Sequence, residues 1–383
     1  MRKGILGIIA LIAFAGAYYL FYHLPVRIDA QLNAVNAQSL KPSGAEAMAF
    51  HDSLRVADLH TDTTLWLRDP AKRHERGHVD LPRLQEGGVI LQVFSATTQS
   101  PAGQNYRENS ADSDRITALT IVQRWPIRSW GSIYERAAYQ ARRLQSLERR
   151  RSAEFKFVRS ASDLEQSLAA GKVAGLFLIE GGHPLEGKLE NLDRLYTEGL
   201  RIIGLQHFFD NELGGSLHGL SKAGLTEFGR QVIRDANQKS IIIDVAHSSE
   251  ATVRDVLALS TRPLIVSHTG MRGQCDSPRN FSDELMQQIA DAGGLIGIGF
   301  WPDVVCGLST AAIAEAIVYA VTLLGVEHVA LGSDFDGTIT SPIDASQMSR
   351  LTQALLDADL TEAHIRAVMG ENAIRFFLEN LPQ

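Results

Sequence analysis

The run KVAGLFLIE, Lys172 to Glu180, is apolar from Val173 to Ile179 and ends on a carboxylate. A short apolar run without polar alternation fits a parallel strand buried on both faces. Seven further runs share the pattern: LRVADLH (54–60), GVILQVFS (88–95), RIIGLQHF (201–208), SIIIDVAHS (240–248), PLIVSHT (263–269), GLIGIGF (294–300) and HVALGSDF (328–335). Helix-length segments such as LTEFGRQVIRDANQK, SEATVRDVLALS and SDELMQQIADAG separate most of them. Eight strands alternating with helices predict an α/β fold, a (β/α)8 barrel of the TIM type. An open doubly wound sheet is the alternative. Residues 100–150 lack a convincing strand, and ITALTIVQRW and YERAAYQARRLQSLERR read as a helical insertion.

The strand-like runs end in polar side chains. Side chains of one parity share a strand face. On that basis Ala174, Leu176, Leu178 and Glu180 share a face, as do Ile203, Leu205 and His207, and Ile243, Val245 and His247. The same holds for Leu264, Val266 and His268, for Ala330, Gly332 and Asp334, and for Asp58, His60 and Asp62. All of these polar groups lie at C-terminal strand ends, which in a barrel surround one mouth. Any one of them alone has a bland reading: a helix-capping Glu180, a partly buried His247 or His268, a turn around Asp334 and Asp336. Six strands aiming such groups at one place is a different matter.

The N-terminus carries its own signal. Arg2 and Lys3 precede Gly4–Leu24, 21 residues without a formal charge. At about 1.5 Å per residue such a helix crosses a hydrocarbon core of about 30 Å. Leading positive charges favour a cytoplasmic N-terminus and an outward-facing remainder. The expectation is an uncleaved single-pass signal anchor (1–24) in the cell membrane, with the barrel domain on the periplasmic or extracellular side. Secretion after cleavage near Ala17, at Ala15-Gly16-Ala17, is the alternative, and a buried core helix a third reading. The polar stretch 25–50 reads as a stalk with room for a short helix, and 51–383 as one barrel domain.

Composition narrows the chemistry. The chain has 383 residues, 37 Lys plus Arg against 44 Asp plus Glu, and a formal charge of −7. A mildly acidic chain without a basic block argues against nucleic acid as a partner. Only Cys275 and Cys306 are present, so a Cys-rich zinc module is excluded. They follow the sixth and seventh runs, and adjacent loops in an oxidising compartment are expected to join them. Histidines with carboxylates and no thiolate suit Zn²⁺, with Mn²⁺, Co²⁺ or Fe²⁺ as substitutes. One carboxylate can bridge two ions around a hydroxide nucleophile. Asp334 would then handle the proton, His207 the oxyanion, and Arg279 a substrate carboxylate.

Taken in order, Asp58-Leu-His60-Thr-Asp62, Ile179-Glu180-Gly-Gly, Leu205-Gln-His207, Asp244-Val-Ala-His247-Ser, Ser267-His268, Pro278-Arg279-Asn280 and Gly332-Ser-Asp334-Phe-Asp336-Gly resemble the membrane dipeptidase (renal dipeptidase) family of the metal-dependent amidohydrolase superfamily. The resemblance runs from about residue 50 to 380 and includes Gly370-Glu371-Asn372-Ala-Ile-Arg375-Phe-Phe. It implies a zinc-dependent dipeptidase with two Zn²⁺ per chain. His60 and Asp62 would bind the first ion, Glu180 would bridge, and His247 and His268 would hold the second. His207 and Arg279 would bind substrate, and Asp334 would act with His207 in catalysis. Family members are often homodimers. After His207 this chain reads Phe208-Phe209-Asp210-Asn211-Glu212, where the mammalian enzymes carry a different Asn-containing sequence, so side-chain preference does not transfer. Two other functions stand beside dipeptide hydrolysis: the same dinuclear chemistry on β-lactam or other amide or ester substrates, and a membrane-anchored binding protein with a dead site. No ligand or proton-handling position is missing, which argues against the last. Among the remaining histidines, His183 and His218 are the ones expected nearest the pocket rim.

Overall fold

The computed structural model describes residues 2–36 and 42–383. The eight runs form eight parallel strands: β1 Val56–Thr61, β2 Val89–Thr97, β3 Val173–Glu180, β4 Leu200–Gly204, β5 Ile242–Asp244, β6 Ile265–Thr269, β7 Leu295–Ile298 and β8 Val329–Leu331. Each pairs with its neighbours in sequence, and Leu331 of β8 pairs with Asp58 of β1. That last pairing closes the ring and rules out the open sheet. Closure also removes free strand edges.

One residue from each strand (Ala57, Leu91, Ala174, Ile202, Ile242, Ile265, Leu295 and Ala330) packs inside the ring with Ala373, Ile374 and Phe377 of the C-terminal helix Asn372–Asn380. That helix plugs the floor, at the end away from the C-terminal mouth. The outer faces, for example Ile179, Ile203, Ile243, Val266 and Leu331, pack on helix residues such as Leu144, Leu192, Val232, Val253 and Ile317. Burial of both faces explains why the runs do not alternate. The 100–150 region is helical, as expected, with helices Arg115–Val122, Arg128–Gly131 and Ile133–Arg150. The last leads to a short strand, Phe155–Phe157, which pairs with the start of β3 outside the ring.

The N-terminal segment is one helical rod: α-helix Arg2–Tyr18, a π-helical turn Tyr19–His23 and α-helix Leu24–Leu32. Ile5–Leu32 is long and apolar enough to cross a membrane, and no residue of its apolar window is buried. Pro25 has no N–H to give the carbonyl of Phe21. The Arg124 guanidinium donates to that carbonyl instead and lies 4.1 Å from the Tyr22 ring centre.

Beyond Pro25 the rod is held by buried charge. Asp29, 2 % exposed, accepts from Arg68 Nε (3.0 Å), Arg76 Nε (2.8 Å) and Asn33 Nδ2 (2.9 Å). Arg68 also pairs with buried Asp336 at 2.7 Å. Ala34–Val35 then pairs in parallel with Thr340–Ser341, in the loop after β8. Within the expected stalk, then, 25–36 is laid on the barrel, 37–41 lie outside the described residues, and Ala45–His51 is a helix. Removing one partner of a buried ion pair leaves an uncompensated charge and costs about 3 kcal/mol or more. Asp29→Ala is expected to lower stability by about that much and to expose 33–36 to protease. An unchanged unfolding midpoint and cleavage pattern would show that the rod holds without it.

Candidate active site

Seven buried polar side chains meet at the C-terminal mouth of the ring: His60, Asp62, Glu180, His207, His247, His268 and Asp334, none more than 8 % exposed. Glu180, the last residue of β3, is the centre. Its Oε1 lies 3.1 Å from His247 Nε2, 3.3 Å from His268 Nε2 and 3.6 Å from His60 Nε2. Its Oε2 lies 3.5 Å from His207 Nε2 and accepts from Thr97 Oγ1 at 2.6 Å. His60 Nε2 is 3.9 Å from both Asp62 and Asp334. Gly181 makes the turn that follows, at φ +86°, where an added Cβ would sit 2.7 Å from the His183 ring.

The parity argument holds on β3, where Ala174, Leu176 and Leu178 line the ring below Glu180. On β4, β5 and β6 it fails. Ile203, Leu205, Ile243, Val245, Leu264 and Val266 face the helices, and their histidines reach the mouth by other means. His207 and His247 lie beyond the ends of β4 and β5, where the chain has turned. His268 sits in a bulge: Val266 pairs with Ile296 and Thr269 with Ile298, so three steps on β6 match two on β7. A matching bulge on β1 sets Asp58 opposite Gln92 and Thr61 opposite Phe94. It takes Asp58 off the face used by His60. Asp58 bonds Gln92 Nε2 (2.8 Å) and Ser333 N (2.8 Å) away from the site. Bulges of this kind re-aim side chains near active sites.

Hydrogen bonding decides which imidazole nitrogens face the centre. Ser267 Oγ donates to Asp244 Oδ2 at 2.6 Å. The same oxygen lies 3.2 Å from His60 Nδ1 and 2.9 Å from His268 Nδ1, and with its proton committed it accepts from both. Both rings therefore carry hydrogen on Nδ1 and point a lone pair from Nε2 at Glu180. His60 Nε2 makes no hydrogen bond and has only the carboxylates of Glu180, Asp62 and Asp334 at 3.6–3.9 Å around it. A buried lone pair without a donor, among carboxylates, is the arrangement a metal ion completes. Three groups have ligand atoms within 4.8 Å of one another: His60, Asp62 and Glu180; Glu180, His207 and His247; His60, His268 and Asp334. These groupings place His207, not His268, with Glu180 and His247.

Without a cation, the electrostatics put a proton at that position. Burial disfavours charge on His60, but Glu180, Asp62 and Asp334 outweigh it and push it up to about 10. Burial opposes ionisation of Glu180 too, yet His207, His60 and His268 hold it down to about 2. Asp334 is pushed well above the usual carboxylate range by burial, against the pull of His60.

Around this centre lies a cleft of about 320 Å³. Arg279 lines it, fully buried, donating from Nη1 to Ala246 O (2.8 Å) and from Nη2 to His268 O (2.7 Å). Nη2 also lies 3.4 Å from His247 Nε2, so Nε and one N–H of Nη1 remain for a ligand. Asn280 braces its loop by accepting from Gly270 N and donating to Cys275 O and Val304 O, each at 2.9 Å. Cys275 and Cys306 form a disulfide across the same two loops, as expected from their positions. Tyr106 and Trp301 close the wall, with Trp301 Nε1 donating to Tyr106 Oη at 3.0 Å. Burial pushes the Tyr106 phenol up to about 12. His183 and His218 lie behind the wall, stacked on Phe209 and Phe208. Sequence reasoning missed Thr97, Ser267, Tyr106 and Trp301 as contributors. Thr97 alone had a signal, since it shares the inward parity of Leu91 and Val93 at the end of β2.

The sequence profile of the membrane dipeptidase family, peptidase family M19, matches residues 45–380. Among solved structures, dipeptidase AC, a metallopeptidase of family M19, is 26 % identical, covering 86 % of this chain and 99 % of its own, with a TM-score of 0.71. A metallopeptidase from Rhodobacter sphaeroides, liganded with a phosphinate mimic of the dipeptide L-Ala-D-Ala, is 25 % identical with the same coverage and TM-score. The probable dipeptidase PvdM from Pseudomonas aeruginosa shares the fold at 19 % identity and a TM-score of 0.75, over 88 % of this chain and 98 % of its own. The chain belongs to the membrane dipeptidase family, peptidase family M19, and is a metallopeptidase hydrolase.

Proposed function

We propose that the protein is a zinc-dependent dipeptidase anchored in the cell membrane by its N-terminal helix, with the barrel on the outer side. The observation that carries the catalytic reading is the membership of Glu180 in two candidate metal clusters at once. His60, Asp62 and Glu180 would hold one zinc, and Glu180 with His247 and His268, whose Nε2 atoms lie 3.1 and 3.3 Å from Glu180 Oε1, the second. Bound zinc supplies positive charge that polarises a carbonyl and acidifies water at neutral pH. The disulfide supports an oxidising compartment, and the exposed apolar rod behind Arg2 and Lys3 supports the anchor.

The protein's own groups supply the rest. Asp334 lies beside His60 at the rim of the cluster, where it can take a proton from the attacking water and return it to the leaving nitrogen. His207 Nδ1 lies 3.2 Å from the carbonyl of Gln99 and so keeps its hydrogen there. Its Nε2 can donate to a developing oxyanion only as imidazolium, next to the negative Glu180. The free N–H groups of Arg279 suit a substrate carboxylate, which disfavours long chains. Dipeptides are the substrate class this clamp and a small cleft accommodate, as in the Rhodobacter sphaeroides relative with its dipeptide mimic.

Zinc-loaded protein is expected to hydrolyse L,L or L,D dipeptides. Chelation should abolish turnover and zinc restore it, and chelator-insensitive turnover would sink the mechanism. Asp334→Asn should retain bound metal while turnover falls by about 10²-fold or more, the usual worth of a positioned proton-transfer group. Metal analysis beside steady-state kinetics checks this. Thr97 bridges Glu180 and Asp62, donating to one or the other at 2.6 and 3.0 Å. Loss of such a supporting contact costs about 10–100-fold in metal affinity, so Thr97→Val should lower affinity on that scale in a competitive chelator titration.

A further inference from the structure

Beside the catalytic cleft runs a second cavity of about 490 Å³. Its walls are Leu24, Ile28 and Leu32 of the N-terminal rod, Leu65 and Trp66 after β1, and Ile116, Leu119 and Val122 of the insertion. Ile28, Leu32, Leu119 and Val122 are only half-buried, so the cavity is an open apolar groove. Two facts place it. It shares Leu65, Ser100, Gln104, Ile116 and Thr338 with the catalytic cleft, so the two adjoin across these side chains. And its wall begins at Leu24, where the uncharged span ends, so its outer end opens at the membrane surface if that span crosses the bilayer.

The groove has a fixed side relative to the substrate. Its shared residues come from the loops after β1, β2 and β8, which are neighbours in the ring. Arg279 comes from the loop after β6, across the ring from β2. A substrate whose carboxylate sits at Arg279 therefore directs its acyl half toward the groove. We propose that the groove is a subsite for a long aliphatic chain on the acyl half of the substrate, and that the enzyme acts on membrane-borne amphiphiles built as an aliphatic acyl group amide-linked to an amino acid with a free carboxylate. This rests on the dipeptidase and anchor readings above. The reaction is ordinary hydrolysis: the oxygen of water bonds to the amide carbon, the C–N bond breaks, and a proton passes to the leaving amine. The products are an aliphatic acid, which stays in the membrane, and a free amino acid. A chain already in the bilayer would enter from Leu24 without crossing water. The apolar lining is of the kind that carries small-molecule binding, with the few polar groups left to orient the head.

The test uses the full chain in phospholipid nanodiscs, zinc-loaded, with 2-aminododecanoyl-alanine and alanyl-alanine as a pair that differs only in the tail. The long-chain substrate is expected to show a kcat/KM at least tenfold higher, mainly through KM. Val122→Trp, which fills the groove, and Ile28→Asn, which makes it polar, should cut that advantage to twofold or less and leave alanyl-alanine turnover unchanged. Equal kcat/KM for the pair, or an advantage that survives both substitutions, overturns the proposal. A second arm needs no chemistry: the long-chain dipeptide with a diazirine at the tail end is irradiated with metal-free protein. Labelling of 24–32 and 115–122 supports the subsite, and labelling confined to 5–23 or to bulk lipid overturns it. If labelling falls in the groove but metal-loaded protein hydrolyses neither substrate, the hydrolase reading fails, and the substrate assignment with it.

Discussion

The mouth of this barrel is organised by one buried carboxylate. Glu180 is 3 % exposed, and a charge in that position is tolerable only when paired and hydrogen-bonded. Four imidazole nitrogens and one hydroxyl surround its two oxygens. Each comes from a different strand or the loop after it, so their convergence requires the ring to be closed in the correct register. The Leu331–Asp58 pairing that closes the ring is for this reason a condition of the chemistry. Pairing of β2 with β3 has the same standing, because it sets Thr97 opposite Glu180 and lets its hydroxyl bond the carboxylate.

Most of the architecture was legible because parallel strands buried on two faces announce themselves. All eight apolar runs became strands of the ring. The faces were less legible. A parity count assumes a regular strand, and β1 and β6 each carry an extra residue. Those bulges leave no mark in the sequence, since His60 and Ser267-His268 look the same with or without them. Yet they decide that Ser267 and His268 both turn inward, that Ser267 holds the rings of His60 and His268 together at 3.9 Å between centroids, and that Asp58 is excluded. The polar ends of the runs were therefore identified correctly while the apolar residues beneath three of them lie on the opposite face.

The N-terminal rod was harder to read for a different reason. Asp29, Arg68, Arg76 and Asp336 are distant in sequence and individually ordinary, and only their common burial makes them a joint. Asp336 is held below the usual carboxylate range, since Arg68 and His78 overcome its burial. It also accepts from Thr63 Oγ1 at 2.7 Å, just beyond the His60-Thr-Asp62 segment, and from the backbone of His78. The loop carrying Asp334 is thereby tied to β1 on one side and to the rod on the other. Asp334 and Asp336 both adopt positive φ, 58° and 65°, in that loop, an unfavourable backbone for non-glycine residues that must be held by surrounding contacts. An acidic pair that looked like a turn is thus divided: one member faces the cleft, and the other locks the loop and the rod.

This arrangement bears on whether the site can be a passive relic. Four histidines and three carboxylates packed at 3–4 Å leave His60 Nε2 without a hydrogen bond, and they stabilise one another only if protons or cations balance the charge. Without a cation, His60 meets that need by holding a proton, which removes the lone pair that Ser267 and Asp244 have aimed at the centre. Hydrogen bonds that fix both Nδ1 positions as donors raise the basicity of Nε2 and aim it at the centre, so a Lewis acid and a proton compete for the same lone pair. Because ion binding replaces that proton, metal affinity rises as the site is deprotonated, while the stability that protonated His60 lends the metal-free fold is lost as pH rises toward about 10. A fold that only displayed a surface for binding would gain nothing from placing unsatisfied lone pairs at its most buried point. The disposition of Ser267 and Asp244 thus favours a working metal centre over an inert one, independently of any relative.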